Sequence, residues 1–428
     1  MSERLIIDNF AGIKHLDLEI GKITVLIGPQ ATGKSICAKL LHFFYGFTDS
    51  LSLALVREQS RQEFESSVLE KFRGYFPNRN LGSGRFSVRY EVFKEGCASV
   101  FIEVWRGQGH CALAYSDELY DGLERAKAKS LSNGPDGQNS SALTLGRTLA
   151  RMVVADILRE RLVENLGYDT RFENVFIPAG RSFFAFLDRN IYGVIQSSSR
   201  IDRIMAEFGQ FYKDFKSEYG GGRDMQPGGL PVAEGIDGIT REILRGYHVM
   251  EDDEDFLVTE DGRRVNVANA SSGQQEALPL TVILRSLTSP GIDAKGYHIF
   301  IEEPEAHLFP TAQKRIVELM AIAFNSPNFP KRFFITTHSP YILTSLNNLI
   351  EAGSLSKSLT DEGKLAKLKE IVPLEQWLNI EDLRVYSLFG GTGESIIDEE
   401  TKLISGNVID EVSNELSVQF GQLLDLEY

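Results

Sequence analysis

The chain is poor in the residues that usually staple or anchor a protein. Three cysteines (Cys37, Cys97, Cys111) and two tryptophans occur in 428 residues. An odd, scattered cysteine set without metal-ligand spacing argues against a disulfide framework and points to a reducing, cytoplasmic setting. No uninterrupted apolar run approaches the roughly 20 residues of a membrane span, so no membrane partner is expected. The start, Met1-Ser2-Glu3-Arg4, leads into a strand pattern without a basic-then-apolar leader. Positive charge is outnumbered, 45 Lys and Arg against 60 Asp and Glu, for a net charge of −15. Phosphate contacts supply most nucleic-acid affinity, so any basic face would have to be local; composition permits DNA binding without supporting it. No internal repeat and no long heptad run is present, which excludes a long coiled-coil arm.

What is present is an ordinary globular balance, 42% hydrophobic and 25% charged. The length calls for two or more lobes. The stretch around which the chain is organised is Gly28-Pro29-Gln30-Ala31-Thr32-Gly33-Lys34-Ser35. It fits G-x-x-x-x-G-K-[ST], follows the apolar run Ile23 to Ile27, and precedes a helical pattern from Ile36 to Phe44. Strand, glycine loop and helix N-terminus form an anion site. Loop N–H groups and the helix dipole face the phosphates, and Lys34 adds a full charge. Ser35 would set its hydroxyl on Mg²⁺.

Residues 3–8 and 14–20 read as two strands turning at Asn9 to Gly12, the second of them half-exposed. Residues 50–75 read as surface-lying helix, and 85–106 as a strand pair around Lys94-Glu95-Gly96. Two helical patterns between Asp117 and Leu166 flank a breaker at Ser132 to Gly137, expected to be a loop. Val175 to Arg181 is a short buried strand ending in a turn, followed by helical patterns over 183–216. Gly220 to Gly229 has the most linker-like composition. Residues 256–268 form a hairpin with Asp261-Gly262 as its turn signal. In the tail, 351–380 reads as helix, Leu383 to Phe389 and Ser395 to Ile397 as short strands. Asn407 to Tyr428 is an acidic amphipathic helix, either packed on the core or docking a partner.

Three further stretches carry chemistry. Ala270-Ser271-Ser272-Gly273-Gln274-Gln275-Glu276 opens an apolar helix and is either a second anion site or a plain cap completed by a nearby Glu. Tyr297 to Glu305 is an apolar strand ending in carboxylates. An acid at a strand end beside a phosphate loop holds Mg²⁺ through its waters, a role for Glu302; Glu303 would orient and deprotonate water. Arg332 to Pro340 repeats the apolar strand with a polar end, where His338 could bond the terminal phosphate.

This order of motifs resembles the ABC ATPases, in particular the soluble RecF, SMC and OLD-like branch. Gly28 to Ser35 is similar to Walker A, and Ser271-Ser272-Gly273-Gln274 to the signature motif with Ser272 in place of a glycine. Ile299 to Glu303 is similar to Walker B, Glu305 to Leu308 to the D-loop, and His338 to the switch histidine. The Q-loop glutamine has no secure counterpart; the Phe176 to Arg181 turn is the stand-in, with Arg181 otherwise an ordinary turn residue. OLD-type proteins also carry a TOPRIM nuclease, but no Asp-x-Asp follows residue 350.

The resemblance implies an α/β fold, an ABC-type P-loop ATPase head with a mixed sheet and a largely helical second lobe. The expected divisions are 1–110 and 255–350 for the ATPase lobe, 111–254 for the helical lobe, and 351–428 for a tail. It further implies ATP and Mg²⁺ as ligands, and a homodimer or higher oligomer in which Ser271 and Gly273 of one copy cap ATP on the other. The expected activity is an ATP-hydrolysing switch that governs a separate effector, a nuclease or toxin, in anti-phage defence. The alternatives are a RecF-like clamp on DNA and a scaffold that holds ATP with little turnover.

Overall fold

The computed structural model describes residues 2–77, 84–93, 99–107, 109–121, 124, 172–185, 202–219, 235–251, 254–288, 296–405 and 418–424. The breaker at 132–137 and the linker-like stretch 220–229 lie outside them.

The N-terminal strands β1 (Ser2–Phe10) and β2 (Ile13–Ile20) pair antiparallel and lead to β3 (Ile23–Ile27). Three helices follow: α1 (Lys34–Tyr45), α2 (Phe47–Val56) and α3 (Arg61–Tyr75). The strands β4 (Phe86–Phe93), β5 (Val100–Arg106) and β6 (Cys111–Tyr115) then extend the first sheet in the order β2-β1-β4-β5-β6. Contrary to the surface-lying helix expected over 50–75, α2 is largely buried. Leu51, Ala54, Leu55 and Val56 enter the same core as Phe47 and Phe64, because α3 and the sheet cover them.

Further along come β7 (Glu173–Ile177), α4 (Arg203–Tyr219) and α5 (Ile236–Leu244). A small sheet follows from β8 (Tyr247–Glu251), β9 (Glu254–Val258) and β10 (Arg264–Asn266). The hairpin read over 256–268 is its β9–β10 part, with β8 added on the other edge. Then come α6 (Ser272–Ser286), β11 (Tyr297–Glu302), α7 (Pro310–Asn325), β12 (Lys331–Thr337) and α8 (Pro340–Ser358). The chain continues through α9 (Glu362–Ile371), β13 (Leu383–Phe389) and β14 (Thr392–Ser395).

A six-stranded sheet of order β14-β13-β3-β12-β11-β7 positions the site. Its inner strands run parallel, and only β14 is antiparallel. Parallel strands are covered on both faces, and period-2 alternation divides their side chains between two cores. Leu26, Phe176, Phe300, Phe334 and Tyr386 point into an aromatic-rich core with α1 to α3 and the antiparallel sheet. Val25, Ile177, Ile299, Ile301, Ile335 and Val385 point the other way, towards the aliphatic faces of α5 to α8.

Two parts of the chain sit elsewhere than the sequence implied. The described parts of 111–254 are divided: β6 completes the antiparallel sheet and β7 is an edge of the central one. In the 351–428 tail, β13 pairs with the loop-bearing strand β3 itself, Val385 opposite Val25. Within 407–428, residues 418–424 are helical, and Val418, Phe420, Leu423 and Leu424 face solvent, 43–63% exposed. The described part of that helix is therefore not packed on the core.

Candidate nucleotide site

The site forms where parallel strands end level. Register places Ile27 beside Thr337 and Thr336 beside Glu302, so Gly28, His338 and Glu303 each follow the last residue of a neighbouring strand. On the far flank Ile301 lies beside Ile177, just before Pro178 and Ala179. Ligands of open α/β sheets bind at this carboxyl edge.

Gly28 and Gly33 are required by space. A Cβ on Gly28 would lie 2.2 Å from the Leu388 carbonyl oxygen, and one on Gly33 2.6 Å from Ile13. Gly33, at φ 102°, caps α1 without any side-chain bond, and no acid stands in the first turn. The first amides of α1 are thus left for a ligand. Thr32 Oγ1 donates to the Pro29 carbonyl at 2.9 Å, while Ala31 takes a positive φ of 60°. Gln30 and Ser35 are exposed at the loop surface.

Lys34 is nearly buried, and its ammonium donates to the carbonyls of Gly28 (2.7 Å) and Pro29 (2.8 Å). Burial lowers its pKa, and the carboxylates of Glu303 and Glu305 work against that fall. Its third contact is His338 Nδ1, at 3.4 Å. With Nδ1 accepting from the ammonium, Nε2 carries the proton towards Glu303 Oε1, also 3.4 Å away. His338 therefore joins the lysine to the strand-end acid.

The acid pair divides by environment. Glu302 is 6% exposed, and burial raises its pKa against the influence of Ser35, Lys39 and the Ala179 N–H. Ala179 N–H donates to Oε2 at 3.2 Å, whereas the buried Oε1 has no partner. Glu303 is more open, with its side chain 38% exposed. Its backbone sits at φ 44°, anchored by its N–H on the Thr336 carbonyl at 2.8 Å.

Ser271 is the N-cap of α6 and forms a capping box with Gln274 rather than with a Glu. Its N–H and hydroxyl both reach Gln274 Oε1, at 3.1 and 2.9 Å. Gln274 Nε2 donates to the Leu244 carbonyl at 2.8 Å. Ser271 and Ser272 are exposed, and a Cβ on Gly273 would lie 2.7 Å from the His307 carbonyl oxygen. The start of α6 is thus pressed against the loop after the acid pair.

Residues 173–343 match the family model described as an AAA ATPase domain. That stretch of a mixed α/β fold is thus similar to an ATPase domain. The matched stretch holds α6, the acid pair and His338; the loop at 28–35 precedes it and joins it through the β3–β12 pairing. Among curated proteins none matches the chain in sequence. Solved structures that align with it include an SMC head bound to the C-winged helix domain of ScpA, at 14% identity and TM-score 0.41, covering 94% of this chain and 98% of that one. Another is the SMC head domain from Thermotoga maritima, at 12% identity and TM-score 0.36, covering 92% and 98%. Likeness at this level carries nothing about activity or partners.

At this strand edge the donor set suits Mg²⁺. The ion takes few protein ligands and keeps several waters. An orphaned, buried carboxylate oxygen on Glu302 and the exposed Ser35 hydroxyl on α1 meet that need. No cluster of three or more His, Cys, Asp or Glu able to hold a metal occurs among the described residues.

Three residues of the site make contacts that their sequence reading did not include. Glu305 Oε1 accepts the His338 N–H at 2.6 Å and fixes the histidine backbone. Gln313 donates to the Leu308 carbonyl (2.8 Å) and accepts the Ser339 hydroxyl (2.5 Å), tying together the loops after β11 and β12. Arg181, read as part of the turn standing in for the Q-loop or else as an ordinary turn residue, is fully buried beneath the acid pair. A polar residue at i+3 after an acid pair is a faint signal for the first. For the other two the partners are distant in sequence, and spacing says nothing.

Proposed function

We propose that the chain is an ATP-hydrolysing switch, closed by nucleotide as a pair of copies, that governs a separate effector. The observation that carries this is the meeting of Lys34, His338 and Glu303 beside the orphaned oxygen of Glu302. The loop from Gly28 to Ser35 would cradle the phosphates, with Lys34 reaching the terminal pair. Ser35 and Glu302 would hold Mg²⁺, which supplies charge neutralisation on the phosphate oxygens when bound. Glu303, open to solvent and bonded to His338, would orient the attacking water and take its proton. His338, already shared between Lys34 and Glu303, would sense the terminal phosphate by exchanging one of those partners for it.

The α6 cap is the second half of the reading. Ser271, Ser272, Gly273 and Gln274 open α6 against the loop after the acid pair, and one copy would offer them to ATP held by the other. An exposed cap beside the acidic loop supports this, because nucleotide between two copies would bury it. The effector, a nuclease or toxin of an anti-phage module, rests on the resemblance of the motif set to stand-alone defence ATPases. Full activity of the purified chain with no co-purifying partner would count against that part.

The test is the solution mass of Glu303→Gln by light scattering, with and without ATP and Mg²⁺. The mass doubles with nucleotide if two copies share the site. A monomer that binds ATP yet never pairs would sink the shared-site reading.

A further inference from the structure

Among the described residues Arg181 is the largest side chain buried without any exposure. Its Nε donates to the Glu276 carbonyl at 2.8 Å, and Nη1 to those of Pro178 (3.1 Å) and Glu302 (2.9 Å). Nη2 donates to the Glu303 carbonyl at 3.1 Å. Nε also lies 3.7 Å from the Glu276 carboxylate, whose other oxygen accepts the Ser182 N–H at 3.2 Å. Burial lowers the guanidinium pKa, and Glu276 leads the carboxylates that oppose the fall. Such an arrangement is an expensive filler: apolar side chains of similar volume are often as stable or more so. A planar fork gripping four carbonyls instead fixes geometry.

The geometry in question is strained. Glu303 holds a left-handed backbone at φ 44°, which a non-glycine residue keeps only where its surroundings impose it. Arg181 grips the carbonyls of Glu302 and of Glu303 itself, on both sides of the strained residue. The same guanidinium is bonded to Glu276, one turn into α6 from Ser272, on the helix whose cap is Ser271.

We infer that Arg181 is a positioning residue that couples the start of α6 to the aim of Glu303. A shift of α6 moves Glu276, and the rigid fork passes that movement to the Glu302–Glu303 turn. Closure around nucleotide at the α6 cap would thereby set the water-orienting carboxylate. The inference rests on the role given to Glu303 above.

The decisive variant is Arg181→Lys, which keeps the charge and removes the fork. Misplacement of a reacting group by about an ångström can cost 100-fold, so kcat should fall roughly 10- to 100-fold while the KM for ATP holds. Glu276→Gln keeps the helix carbonyl and the shape, removes the counter-charge, and should lower kcat less, again at constant KM. In a Glu303→Gln background neither change should lower the residual rate further, because both act through Glu303. Parent-like turnover of Arg181→Lys, a KM rising in step with the loss, or a full further loss in that background would overturn the inference. If Arg181→Lys does not fold, unchanged kcat in Glu276→Gln overturns it alone. A parent chain that binds no ATP defeats the site reading and the coupling together; a hydrolysing parent with unaffected variants defeats only the coupling.

Discussion

Two helix N-termini in this molecule look alike in sequence, glycine and serine before an apolar helix, yet they are finished differently. At α1 the cap is a left-handed glycine without a side-chain bond, and the amides are left free. At α6 the cap is Ser271, already satisfied by Gln274 and answered by it. The first leaves its amides without a side-chain cap in the single chain. The second is a completed cap, its Ser271 groups already engaged by Gln274. A helix N-terminus becomes a ligand site through what its own side chains leave undone.

The largest test of that contrast is Lys34→Ala. Loss of hydrogen bonds to a charged group costs about 1.5–3 kcal/mol, so ATP affinity measured by calorimetry should fall roughly 10- to 100-fold. Ser271→Ala, measured at protein concentrations where single chains prevail, should leave that affinity unchanged. Equal losses at both positions would erase the distinction.

Next comes the glycine itself. Gly33→Ala places a methyl 2.6 Å from Ile13 at φ 102°, and such strain costs about 1–3 kcal/mol. Urea unfolding should show the loss without nucleotide present. At α6 the corresponding cost is that of a cap: Ser271→Ala should lose about 1 kcal/mol in the same experiment, and no detectable loss would mean the capping box is idle.

The smallest effect has the opposite sign. Burial raises the Glu302 pKa, so the folded chain holds that proton more tightly than the unfolded one. Its stabilising contribution is present in acid and is lost as pH rises through the folded value. Glu302→Gln should therefore melt higher than the parent at neutral pH, by about 2–4 °C for each 1 kcal/mol, with the gap closing in acid. A variant that melts lower at neutral pH would show that Glu302 is already compensated.

Much of the site was legible because its parts are contiguous. Gly28 to Ser35, the acids after Ile301 and His338 after Thr337 each stand at the end of an apolar strand, and local pattern marks such ends. Less of the scaffold was readable. β6 and β8 are short, half-exposed strands whose partners complete them. The burial of α2 depends on α3 lying over it, which no periodicity within α2 announces. The described part of the terminal helix, with Phe420 and Leu423 in solvent, shows that an amphipathic pattern does not name the surface it will meet.

By itself the sequence determined which chemical groups are available and on which local element each would stand, because strand and helix patterns and the loop's glycines are short-range constraints. The tertiary structure alone decided that Arg181 lies beneath the acid pair, that Glu305 holds the histidine backbone, and that β13 flanks the phosphate loop. Those placements join residues up to several hundred positions apart. They are set by which faces bury against one another, a property of the packed whole rather than of any stretch of the chain.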